Sequence, residues 1–144
     1  YIKDPSNENE NFQRVKIRKF IKNLELEGLN ISKFNLTIQN LKFANEAIRF
    51  FTKKNLQDNA TILIKKKKIL LKKEFFLQPE EITFRSLTDV IKIIGDKHYP
   101  VRGKKIDKIV NLIKKDIKSK ITLGNCIIKK VNETIIVTKE QLNR

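Results

Sequence analysis

Residues 32 to 58 contain neither glycine nor proline, and their apolar side chains recur on a helical period. Phe34, Ile38, Leu41, Ala44, Ala47, Ile48 and Phe51 fall on one side of a helix running from Ser32 to between Asn55 and Asp58. A second periodic stretch precedes it. Ile17, Phe20, Ile21 and Leu24 follow the i, i+3, i+4, i+7 spacing of a buried face, over a helix of about 9–27. Gly28 supplies the left-handed stop. The short connection GLNIS makes the pair an antiparallel helical hairpin.

The start of the first helix is marked by Asp4, Pro5, Ser6 and Asn7. Asp, Ser and Asn accept hydrogen bonds from free N–H groups, and Pro suits a first turn. Glu8 and Glu10 place negative charge at the positive end of the helix dipole. Tyr1 stands first and the sequence has no methionine, so a processed chain or a fragment is expected.

Beyond the hairpin the pattern changes. TILIKKKKILLKKEFFLQ is rich in β-branched and aromatic residues and predicts two strands, about 61–66 and 69–76. Pro79 opens a helix over 80–94 that Gly95 closes. DKHYPVRGK is a loop, and a helix over 103–117 follows it. ITLGNCIIKKVNETIIVTKE reads as a hairpin with strands 120–129 and 134–138. The fold class is α+β, mainly α: a helical hairpin followed by a small βαα–β-hairpin domain. The expected division is 1–60 and 61–144.

A net charge of +16 argues for a polyanionic partner. Lysine, asparagine and isoleucine are used together, as AT-rich coding favours, so part of the charge is compositional. Nucleic acid still stands ahead of a membrane surface. No apolar run approaches the roughly 20 residues that span a bilayer. Cys126 is the one cysteine and His98 the one histidine, which leaves no zinc set and fits a reducing, cytoplasmic compartment.

Six arginines stand against 26 lysines. Where drift replaces arginine wherever bare charge suffices, the arginines that remain need their planar fork. Arg14 and Arg18 are four apart and share a helix face. A carboxylate on a neighbouring element would explain them equally well. Lys65, Lys66, Lys67 and Lys68 form a basic ribbon that can meet phosphates. Any one of them is more simply a solvated turn residue, while the cluster carries a general electrostatic role. In the HYPVRG loop, Arg102 is open between phosphate contact and packing, and Tyr99 is expected half-buried. Cys126 is expected in the core. There is no glycine-rich phosphate loop, no metal-binding acidic pair and no self-sufficient active site.

These residues carry a resemblance. Asp4, Pro5, Ser6 and Asn7, followed by Arg14 and Arg18, resemble the end of the catalytic domain of the tRNA(Ile)-lysidine synthetase family. NLTIQNLKFANEAIRFF is similar to that family's helical connector, although Phe43 stands where a basic residue is common. FRSLTDVIKIIGDKHYPVRGKKIDKIVNLI, with Arg85, Tyr99 and Arg102, resembles the helices that follow. SKITLGNCIIKKVNETIIVTKE resembles the closing hairpin.

The resemblance implies an ATP-dependent ligase that attaches lysine to C2 of the wobble cytidine of a CAU-anticodon isoleucine tRNA. It makes 1–60 the end of a catalytic domain and its connector, and 61–144 a tRNA-recognition domain. Asp4, Asn7, Arg14 and Arg18 would support the active site, the arginines through ATP-derived phosphate or the tRNA backbone. Lys65, Lys66, Lys67, Lys68, Arg85 and Arg102 would bind RNA. ATP, with magnesium, would be held mainly by an N-terminal S-G-G-x-D-S loop that this sequence lacks, so the segment alone is expected to be inactive. The partners implied are the tRNA, free lysine and ATP, with no membrane; a homodimer is left open. A stand-alone basic RNA-binding module without catalysis is the alternative.

Overall fold

In the computed structural model of the chain, residues 13–96, 98, 99, 101–115 and 120–140 are described. The chain divides into two compact units, with the boundary between Asn45 and Glu46.

The first unit holds helix α1 (Gln13–Leu26) and the first part of helix α2 (Ile31–Asn59). Gly28, at φ 102°, ends α1 as the sequence predicts. Its N–H donates to the Glu25 carbonyl at 3.1 Å, and the Leu29 N–H donates to the Leu24 carbonyl at 2.8 Å. This paired closure satisfies carbonyls that the helix end would otherwise leave open. Asn30 then caps α2, its Oδ1 accepting the Lys33 N–H at 3.0 Å.

The apolar stripes of these helices are exposed: Phe20 is 63% accessible, Leu41 64% and Phe34 50%. Val15, between the two arginines, is buried instead. The expected buried face is therefore corrected. Helical periodicity records which side of a helix is apolar, and carries no information on what covers it.

The second unit begins with the rest of α2 and carries a five-stranded antiparallel sheet. Its strands are β1 (Ala60–Leu63), β2 (Lys68–Leu71), β3 (Ile121–Leu123), β4 (Cys126–Val131) and β5 (Thr134–Lys139), in the order β1-β2-β5-β4-β3. Register pairs Ile69 with Val137 and Val137 with Ile128, so one pleat face presents a continuous apolar row. Helices α3 (Glu80–Gly95) and α4 (Gly103–Lys114) complete the core. Leu87, Val90 and Ile91 come from α3, Ile106, Ile109 and Val110 from α4, and Ile69, Leu71, Ile128, Ile135 and Val137 from the sheet.

The strand expected over 69–76 ends at Leu71, and Lys73–Phe76 form a 3-10 turn. Alternation explains the difference. Phe75 and Phe76 are consecutive and both buried, which a strand with one covered face cannot achieve. The strand expected over 120–129 is two strands. Gly124 (φ 59°) and Asn125 (φ 62°) form a two-residue turn with both φ values positive, the geometry that matches strand twist. α3 closes one residue later than expected, with Asp96 rather than Gly95 in the left-handed conformation. α4 stops at Lys114, short of 117.

A polar ladder locks the end of α2 to α3. Asn55 is 3% exposed, and its Nδ2 donates to the Ser86 hydroxyl at 3.1 Å and to the Phe75 carbonyl at 3.3 Å. Asn59 Nδ2 donates to Asn55 Oδ1 at 2.9 Å. A buried amide is stable only with such partners, and these fix the roll of α2 on α3.

Candidate nucleic-acid interface

Antiparallel pairing gathers four loops at one end of the sheet. The β1–β2 turn holds Lys65, Lys66 and Lys67, all exposed. The Lys67 carbonyl accepts the Lys139 N–H at 3.3 Å, which ties that turn to the end of β5. Cys126 is in register with Lys139, so the Gly124–Asn125 turn lies at the same end. Asn125 Nδ2 donates to the Gly95 carbonyl at 3.3 Å, joining the end of α3. A β-carbon on Gly124 would come within 2.8 Å of Val101, which places the α3–α4 loop there as well.

Lys68 is half-buried in β2, opposite Thr138. Arg102 is exposed at the start of α4, its carbonyl accepting the Lys105 N–H at 3.0 Å. Folding thus brings the lysine run and Arg102 to one end of the unit. Lys104 and Lys105 on the first turn of α4 are exposed too. Asp96 opposes this charge, and Lys139 answers it at 3.7 Å. Tyr99 is 84% exposed, correcting the expectation that it is half-buried. The loop turns its ring outward because the apolar contact to Gly124 is made by Val101. Such an array can hold phosphates, with lysines as point charges and Arg102 as a fork. The exposed Tyr99 ring adds a surface on which a base can stack.

Arg85 stands apart from this end. Its Nε binds Glu81 Oε1 at 2.6 Å along α3. It lines a groove between α2 and α3, together with Arg49, Lys53, Phe84 and Asp89. Burial pushes the Asp89 carboxyl above the usual carboxylate range, while Lys92 and Arg85 pull it back. Arg49 and Lys53 escaped the sequence reading. The signal was available in the scarcity of arginine, which applies to Arg49 as much as to Arg85.

Arg14 and Arg18 lie on α1, both exposed. Asp4 and Asn7 lie outside the described residues. Cys126 is fully buried, and burial first, then Glu140, pushes its thiol up to about 11 against the pull of Lys139. Its Sγ donates to the Ile91 carbonyl at 3.4 Å, as a core thiol does. Among the described residues no three His, Cys, Asp or Glu side chains gather as metal ligands. None of the described helices is long and apolar enough to cross a membrane.

Comparison with known proteins shows what the chain is similar to. A tRNA(Ile)-lysidine synthase from Wolbachia pipientis wMel is 30% identical over 97% of the chain. The chain is similar to tRNA(Ile)-lysidine synthases. The synthase from Wolbachia sp. subsp. Brugia malayi (strain TRS) is 29% identical over the same share. That from Ruegeria pomeroyi (strain ATCC 700808 / DSM 15171 / DSS-3) is 27% identical over 89%. The chain spans about a third of the length of these curated relatives: 33% of both Wolbachia synthases and 30% of the Ruegeria one. No family model matches the chain. No solved structure matches it. The segment resemblance read from the sequence thus extends across nearly the whole chain as similarity to tRNA(Ile)-lysidine synthases.

Proposed function

We propose that this chain is the C-terminal part of a cytoplasmic tRNA(Ile)-lysidine synthase, and that it supplies tRNA binding and support for the active site. The parent enzyme adenylates C2 of the wobble cytidine of a CAU-anticodon isoleucine tRNA with ATP, and lysine then displaces AMP. Residues 1–60 close the catalytic domain and form its connector, and 61–144 recognise the tRNA. The observation that carries the reading is similarity over 97% of the chain to proteins three times the matched length.

The basic end of the sheet supports it. Lys65, Lys66, Lys67 and Arg102 present cation at one place, as a phosphate backbone requires. Lys68 adds charge beside them. Arg14 and Arg18 serve ATP-derived phosphate or the tRNA backbone. No glycine-rich phosphate loop is present, so ATP and its magnesium are held by other parts of the parent, and the segment alone makes no lysidine.

The test combines the 144-residue chain with CAU isoleucine tRNA, ATP and lysine. The chain binds the tRNA with steep salt dependence and releases no AMP. Absence of RNA retention even at low salt contradicts the RNA role. Lysidine formed by the segment alone contradicts its place as a supporting part.

A further inference from the structure

The α2–α3 groove holds charge that the basic end does not use. It encloses about 400 Å³. On α2, Arg49 and Lys53 are four residues apart and therefore share a face. Both are exposed, and neither is held in an ion pair among the described residues. On α3, Arg85 stands four residues from both Glu81 and Asp89, so its charge is met locally. The unmatched positive charge of the groove therefore comes from α2. Arg49 is one of six arginines among 32 cationic residues, which marks it as a place where a planar fork is wanted.

The groove and the basic end share α3, which lines the groove at Asp89 and reaches the basic end at Gly95. Asn55 donates to Ser86, and the Ser86 hydroxyl donates to the Thr52 carbonyl, so α2 and α3 are joined beside the groove. Moving from Ser86 to Asp89 on α3 leads toward Gly95 and the α3–α4 loop. Asp89 lies about 9 Å along the helix from Gly95, so one strand of backbone can reach both places. The lining also includes an acceptor. A bare anion has no use for Asp89, whereas a ribose 2′-hydroxyl can donate to it.

We propose that this groove is a second contact for RNA backbone, in which Arg49 and Lys53 hold a phosphate and Asp89 accepts a hydrogen bond from an adjacent ribose 2′-hydroxyl. The proposal rests on the RNA-binding reading above. It assigns to that surface a site the basic end does not include, and it gives the scarce Arg49 a role.

The experiment measures binding of a CAU isoleucine tRNA transcript, and of its all-deoxy counterpart, to the chain and its variants over a range of salt. Arg49→Glu and Lys53→Glu each weaken tRNA binding several-fold and lower the salt slope by about one, with the circular dichroism spectrum unchanged. Asp89→Ala narrows the preference for the transcript over the deoxy molecule. If Arg102→Glu weakens binding while Arg49→Glu and Lys53→Glu leave affinity and slope unchanged, the groove is overturned and the RNA reading stands. If the unaltered chain retains no tRNA at low salt, the RNA reading fails and the groove falls with it. An unchanged preference in Asp89→Ala overturns the ribose contact.

Discussion

Gly95 and Gly124 meet backbone to backbone: a β-carbon on Gly95 would overlap the Gly124 carbonyl oxygen. Gly124 is itself at φ 59°, with Ile91 within 2.7 Å of the place its own β-carbon would take. The last turn of α3 is thereby seated on the β3–β4 turn, and the α3–α4 loop is carried to the basic end. Gly95→Ala is expected to destabilise the second unit by about 1–3 kcal/mol through overpacking. Gly28→Ala meets no atom within 4 Å and suffers only from its φ of 102°, at about 1 kcal/mol. Denaturant unfolding of the two variants checks the difference, and equal losses contradict the close approach.

Removing the Asn55 side chain strips the Ser86 hydroxyl and the Phe75 carbonyl of a buried donor. Asn55→Ala should cost about 1–3 kcal/mol. A double-mutant cycle with Ser86→Ala should show coupling, since the two are in direct contact. Additive effects would mean that the ladder does not hold α2 to α3.

Phe75 is fully buried, whereas Leu77, two residues on, is 71% exposed. Phe75→Ala should cost about 3–5 kcal/mol, and Leu77→Ala should stay within about 0.5 kcal/mol. Extended chain continued through 77 would have put both residues on one face, so the contrast tests the 3-10 turn directly.

Cys126 is raised to about 11, above the ordinary thiol value of about 8.5. In the folded chain the thiol stays protonated at pH 8 and should resist alkylation there. It should label readily in denaturant, where the buried Sγ reaches solvent. The unfolded thiol ionises first as pH rises, so this group leaves stability flat below its unfolded value. Between that value and about 11 it lowers stability. Fast labelling at pH 8 without denaturant would contradict the burial.

The elements were legible where a local signal was strong. Gly28 and the Ile17–Leu24 spacing gave α1, and Pro79 gave the start of α3. Errors arose where tertiary contact decides. Gly95 read as a stop, yet its glycine is required by Gly124, 29 positions away in sequence. The Gly124–Asn125 pair was a hairpin signal inside a run of isoleucines, and the run masked it. The site was half legible: charge clusters show in composition, but the return of Lys139 beside Lys67 depends on strand order. Arg49 could have been weighed by the same scarcity applied to Arg14 and Arg18. Its neighbours on α3 could not be read from sequence.

The most direct measurement is the affinity of the chain for CAU isoleucine tRNA as a function of salt. It should be compared with a variant carrying Lys65→Glu, Lys66→Glu and Arg102→Glu. A linear fall of log affinity with log salt is expected, with a slope shallower by about three in the variant. The same steep slope in both proteins, or no binding by either, would contradict the assignment of the basic end to tRNA.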